Sequence, residues 1–201
     1  FIEIHIEPSG QISGARVINY LLEKSRIIRQ AEGERNYHIF YQLLRGADRA
    51  LRDQIGLGSD LEHDLDYVCT GADLPGYVNC DAPNFKRTVA CLGSIGVSDA
   101  EQLNLFRALA GILLIGNVAF EAHEASEGCA APSEFVGRCA QALGLETAGF
   151  RDALTAHRVT VGGESIRKPI SPEVARDKRD ALAKALYALV FRWLILRINA
   201  S

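Results

Sequence analysis

Side chains that can attack, titrate or coordinate are few here and scattered. The five histidines, His5, His38, His63, His123 and His157, have no Ser or Cys that spacing nominates as a partner nucleophile. The five cysteines, Cys69, Cys80, Cys91, Cys129 and Cys139, are odd in number, far apart and without a C-x-x-C pair. They read as free thiols rather than a zinc or disulfide framework. Glu121, His123 and Glu124 carry metal-donor atoms, but no second ligand cluster lies nearby, so they read as a solvated strand end. Asp60, Glu62, Asp64 and Asp66 form an acidic cluster without the glycine and terminal glutamate of a calcium loop. They are expected on a solvated face. No G-x-x-x-x-G-K phosphate loop, no G-x-G-x-x-G after a strand, and no G-x-S-x-G or H-E-x-x-H occurs. No residue is nominated for catalysis.

The remaining charged feature is residues 158–168, RVTVGGESIRK. Gly162-Gly163 between two β-prone runs predicts a hairpin with a two-residue turn. On its own, this is a solvated turn with incidental charges.

Around it, the chain has 201 residues, 48% hydrophobic and 23% charged, which excludes disordered, collagen-like and low-complexity classes. A net charge of −3 gives no basic field for non-specific nucleic-acid binding. No targeting segment stands out, and the apolar run at 103–114 is broken by Asn104, Arg107 and Gly111, short of a membrane span. There is no methionine, and the chain opens with Phe1 in an apolar run. Both features fit an interior piece of a larger protein.

Residues 1–7, FIEIHIE, alternate like a strand with Ile2, Ile4 and Ile6 on a buried face. Pro8-Ser9-Gly10 turns the chain into a second strand at 12–22, giving an antiparallel pair that needs a larger sheet. Tyr37, Phe40, Tyr41 and Leu44 predict a helix stopped at Gly46, and a short helix comes next at 48–54. Residues 56–80 read as loop. Asp81-Ala82-Pro83 is expected to open a helix to about residue 95, and the Ser98–Glu101 capping box another. Gly116-Asn117 ends that helix before a short strand at 118–121. Helices are expected at 132–143 and 146–157. Ser171-Pro172-Glu173 starts the longest, with an apolar face of Leu182, Leu186, Leu189, Val190, Trp193 and Leu196. The fold class is α+β, mostly helical: two antiparallel strands, a helical subdomain, an exposed hairpin and a long C-terminal helix.

Three stretches carry a resemblance. Residues 1–47 contain FIEIHI, G-x-I-S-G-A, YLLEKSR and GERNYHIFYQLLRGA, and these resemble the run after switch I in the myosin motor domain. AGILLIGNVAF at 110–120 resembles another recurring myosin segment. DALAKALYALVFRWLILRIN at 180–199 is similar to the long helix before switch II. Order and spacing agree along the chain, with 53–76 and 122–136 divergent.

The resemblance implies a segment of one P-loop motor domain. It divides into transducer-like strands (1–30), a helical upper subdomain (31–157), an actin-facing hairpin (158–168) and a long helix (171–199). The function implied is that of an actin-based, ATP-driven cytoskeletal motor. ATP and Mg belong to the intact motor, whose phosphate loop and both switches lie outside this run, so none is expected on the segment alone. Implied partners are the actin filament and the rest of the heavy chain, with light chains reached only through other regions. Neither nucleic acid nor membrane is implied, and the location is cytoplasmic and cytoskeleton-associated.

The hairpin matches the actin-touching cardiomyopathy loop. The resemblance assigns actin contact to Arg158, Val161, Glu164, Ile166, Arg167 and Lys168. In this family a regulatory acid, or a phosphorylated Ser or Thr, lies 16 positions before the Asp of DALAK, which is Asp180; the residue there is Glu164. Ser165 is one place off that rule. Glu23, Lys24, Arg26, Glu34, Arg35 and Asn36 fall where a strand hands over to a helix. They imply either sheet-to-cleft coupling or local salt bridges. A competing reading is a non-catalytic interaction module that kept the fold without ATPase chemistry.

Overall fold

The helix opened by Ser98 is the centre of the molecule. Ser98 Oγ accepts from the Glu101 N–H, and the Glu101 carboxylate accepts from the Ser98 N–H at 2.9 Å, closing the capping box. The helix runs Asp99–Gly116, and Phe106, Leu109, Ile112, Leu113, Leu114 and Ile115 along it are all buried. Its C-terminal half, 109–116, is buried and apolar on every side and so needs neighbours on every side.

The structure is a computed structural model that describes residues 1–60, 62–123 and 128–201, the side chains of Ser133 and Val161 excepted. In chain order it contains β1 (Ile2–Ile6), β2 (Ile12–Val17), α1 (His38–Gly46), α2 (Arg49–Gln54), α3 (Val78–Ser94) and α4 (Asp99–Gly116). Next come β3 (Glu121–Ala122), β4 (Cys129–Ala130), α5 (Ser133–Leu143), α6 (Thr147–Thr155), β5 (Ala156–Val161), β6 (Glu164–Pro169) and α7 (Pro172–Ala200). Single 3-10 turns lie at Lys24–Ile27, Glu62–Asp64 and Cys69–Gly71. Helices α1, α3, α5 and α7 all contact α4. Among the described residues the strands form three separate antiparallel pairs, β1–β2, β3–β4 and β5–β6. This is the expected mostly helical α+β class.

The β1–β2 pair forms with Ile2 opposite Val17 and a bulge between His5 and Ile6. Strand β2 stops at Val17, five residues short of the sequence expectation. Ile18 N–H donates to the Phe1 carbonyl at 2.8 Å, the last backbone bond of the pair on this side. Leu21 takes a left-handed φ of 52°. The isoleucine face expected to be buried is exposed in this chain, Ile4 at 57%.

Helix α3 starts at Val78, a turn before the expected Asp81. Asp81 is not free to cap. Its carboxylate takes Arg35 at 2.7 and 3.2 Å and Arg45 at 2.9 Å, with both Asp81 and Arg35 buried. The Arg35 guanidinium also lies 3.7 Å from the Tyr41 ring centre.

The acidic cluster is only half solvated. Glu62 is buried against Arg45, and Asp60 pairs with Arg138, whereas Asp64 and Asp66 are exposed. Local spacing could not reveal those arginines. Strand pairing near 118–121 is confined to Glu121–Ala122 with Cys129–Ala130, because Val118 and Phe120 turn into the core instead. Of the imagined metal donors, Glu121 and His123 are exposed and Glu124 lies outside the described residues. All five cysteines are free, Cys129 and Cys139 being buried.

Helix α7 has 29 residues, about 43 Å at 1.5 Å per residue, and Ser171 caps it by accepting from the Val174 N–H. Its buried line is Ala175, Ala183, Tyr187 and Ile195, with Leu182, Leu186, Val190 and Trp193 half-buried beside it. Leu189 and Leu196, expected on that face, are 61% and 58% exposed. Leu189 lies two residues from Tyr187, about 200° round the helix. Among the described residues no helix is long and apolar enough to cross a membrane.

Candidate functional site

Helix α6 passes straight into strand β5, without a loop. Thr155 ends the helix, and Ala156 is already extended at φ −145° and ψ 157°. The expected helix to His157 is therefore cut short, and His157 belongs to β5. Buried Ala156 and Ile170 form the base of the hairpin. Ile170 N–H donates to the Thr155 carbonyl at 3.1 Å, and Lys178 Nζ of α7 donates to the Ala156 carbonyl at 2.7 Å.

The ladder pairs Ala156 with Pro169, His157 with Lys168, Arg158 with Arg167, Val159 with Ile166, Thr160 with Ser165 and Val161 with Glu164. Gly162 and Gly163 close it with φ of 61° and 89°, the double left-handed turn that a two-residue hairpin requires. Directly opposite residues share a face. Of the six residues expected to act together, the five with described side chains therefore divide between two faces. Arg158 and Arg167 lie on one, with Thr160 and Ser165. Glu164, Ile166 and Lys168 lie on the other, with His157 and Val159. The Val161 side chain is outside the described set.

On the second face Val159 and Ile166 are 44% and 50% exposed. They form an uncovered apolar pair, flanked by Lys168 and His157 on one side and Glu164 on the other. Val159 escaped sequence reasoning, although strand alternation and the turn together place it opposite Ile166. Glu164 is exposed beside the turn.

The first face is tethered. Asp152 of α6 accepts from Arg158 Nη2 at 3.0 Å through Oδ2 and from Arg167 Nε through Oδ1. These bonds, with Arg167 the larger influence, hold the Asp152 carboxyl below its ordinary range. Arg167 Nη2 also donates to Thr155 Oγ1 at 3.3 Å. No sequence signal links Asp152 to the hairpin, because the pairing depends on the angle between α6 and β5.

The strand-to-helix handover is the second candidate region. Arg26 bridges Glu23 at 2.8 Å and Glu34 at 2.7 Å. Arg35 runs inward to Asp81, and the buried Asn36 amide donates to the carbonyls of Ile27 and Tyr67, both at 2.8 Å. Asn36 Oδ1 accepts from the Tyr37 N–H at 2.7 Å, so its hydrogen-bonding capacity is filled by backbone. These residues form a structural joint in which an exposed salt-bridge cluster surrounds a buried polar pin. Lys24 lies exposed in the 3-10 turn.

The family model for the myosin head (motor domain) matches residues 1–201. Over 203 aligned residues the chain is 42% identical to unconventional myosin-XV of Homo sapiens, covering all of this chain and 6% of that protein. It is 39% identical to the myosin-I heavy chain of Dictyostelium discoideum, covering 9% of it. It is 38% identical to unconventional myosin IC of Drosophila melanogaster, covering 19% of it. The chain thus spans less than a fifth of each of these relatives. With the match running from its first residue to its last, the chain belongs to the myosin head (motor domain) family.

Proposed function

We propose that this chain is a segment of an actin-based, ATP-driven motor head of P-loop fold, and that it contributes filament contact and sheet-to-cleft coupling. In this reading residues 1–30 supply two strands of the transducer sheet, 31–157 the upper subdomain, 158–168 the filament-facing hairpin and 171–199 the long helix. Arg158, Val161, Glu164, Ile166, Arg167 and Lys168 serve the contact, and Glu164 supplies its fixed negative charge. The intact protein is then an actin-activated ATPase of the cytoplasmic cytoskeleton.

The observation that carries this reading is the hairpin itself. It projects an exposed apolar pair and an acid beside its turn, 16 positions before Asp180. An uncovered Val159–Ile166 pair rimmed by opposite charges has the make-up of a small docking surface, with an apolar centre and an orienting rim.

ATP and Mg enter only through the intact motor. The residues of this chain do not fit them. Among the described residues no grouping of three His, Cys, Asp or Glu side chains can hold a metal, and the sequence contains no phosphate-cradling loop. The isolated chain is expected neither to bind nor to hydrolyse ATP.

The test uses the whole protein that carries this segment. Its steady-state ATP hydrolysis, measured with and without actin filaments, should rise severalfold on filament addition. Filament binding without any hydrolysis would replace this reading with the non-catalytic interaction module.

A further inference from the structure

The hairpin carries two arginines on one rung. Arg158 and Arg167 are directly opposite in the ladder, an arrangement that like charges oppose. Nothing on the same face of the hairpin offsets them, since its other rungs there are Ala156–Pro169 and Thr160–Ser165. Glu164, the hairpin's own acid, is on the opposite face. The compensating carboxylate comes from the body of the protein.

We propose that Asp152 is a positioning residue for the hairpin: by holding Arg158 and Arg167 together it sets the angle at which the Val159–Ile166 face meets a filament. Asp152 is well placed for this. It lies on α6 between Phe150 and Leu154, both buried, so its own position is fixed by the core. Each of its oxygens takes one arginine, Oδ2 that of β5 and Oδ1 that of β6. Beyond the base, Asp152 and Thr155 of α6 tie the body to the two strands. The arginines are 73% and 51% exposed, and exposed ion pairs contribute little to fold stability. Orientation is the role that remains. Without Asp152 the paired arginines repel, and the strands can pivot on the Thr155–Ile170 base.

This inference rests on the filament-docking reading, and two measurements on the intact protein separate the two. The first reads angle alone. Spin labels at Ser165→Cys and Leu145→Cys, with exposed cysteines replaced by serine, report the distance from the hairpin to the body. Asp152→Ala should broaden and shift that distribution, and Asp152→Glu should restore much of it. An unchanged distribution overturns the tether. The second reads docking at about 0.15 M salt, where long-range steering is largely screened. Asp152→Ala should raise the filament concentration for half-maximal ATPase by about threefold to tenfold with kcat unchanged. In an Arg158→Gln, Arg167→Gln background it should have no further effect. An equal shift in that background overturns the proposal. A moved hairpin with unaltered filament affinity would show that the docking reading fails while the tether stands.

Discussion

The Tyr67 hydroxyl donates to Oδ1 of Asp180 at 2.6 Å, across 113 residues of chain. Asp180 also accepts from Arg179 Nε at 2.8 Å, and Arg179 Nη1 donates to the carbonyls of Gly116 and Val118 at 2.9 and 3.1 Å. One cluster therefore joins the 56–80 loop, the end of α4 and the first half of α7. Asp180 is also the residue from which Glu164 is counted. That count runs from a half-buried, hydrogen-bonded aspartate to an exposed turn.

Tyr67→Phe removes a hydrogen bond to a charged acceptor and should cost about 1.5–3 kcal/mol. Gly116→Ala strikes the same ring, since an added Cβ would meet Tyr67 Cγ at 2.9 Å. It should cost about 1–3 kcal/mol by overpacking. Because both act through one side chain, the double variant should lose less than the sum of the two. Denaturant midpoints of the intact protein measure all three, and strict additivity would mean that the ring does not couple the sites.

Alkali should weaken the fold through its tyrosines. Burial pushes the Tyr67, Tyr187 and Tyr41 hydroxyls above the ordinary value, and the Asp180 bond adds to the effect at Tyr67. A folded-state value above the unfolded one means full stability below the unfolded value of about 10, then loss as pH rises toward the folded value. The tyrosine part of the stability should therefore be lost above about pH 10, less steeply in Tyr67→Phe. An equal decline in both proteins would contradict this.

Thiol labelling should divide the cysteines. Cys69, Cys80 and Cys91 are exposed, whereas burial raises the Cys129 thiol and pushes Cys139 up to about 12. At pH 8 peptide mapping after brief alkylation should find the first three modified and Cys139 intact. Labelling of Cys139 at the same rate as Cys91 would contradict the packing of α5 against α4.

Several boundaries are legible in the sequence because local chemistry sets them. The Ser98 box, the Ser171-Pro172 start and the Gly162-Gly163 turn each satisfy backbone groups within a few residues. Asp81 is not legible in this way, because its role is set by Arg35 and Arg45, far away in sequence. A helix-start aspartate that could cap instead bridges two guanidinia, one of which also pairs with Glu62. Glu62 is hidden for the same reason. Leu189 and Leu196 look like core because their spacing is helical, but periodicity does not reveal how much of a helix's circumference is covered. At the hairpin, the charges and the turn are readable in sequence. The division into two faces needs the register, and Asp152 needs the angle between α6 and β5.

Glu164→Lys in the intact protein tests the hairpin most directly. The side chain is exposed beside the turn, so folding should change by no more than about 0.5 kcal/mol. Actin-activated ATPase of the two proteins should then be compared across a salt series. The reversed charge should weaken apparent filament affinity most at low ionic strength, with the difference shrinking as salt screens it. Equal apparent affinity at every salt concentration would contradict the assignment of filament contact to Glu164.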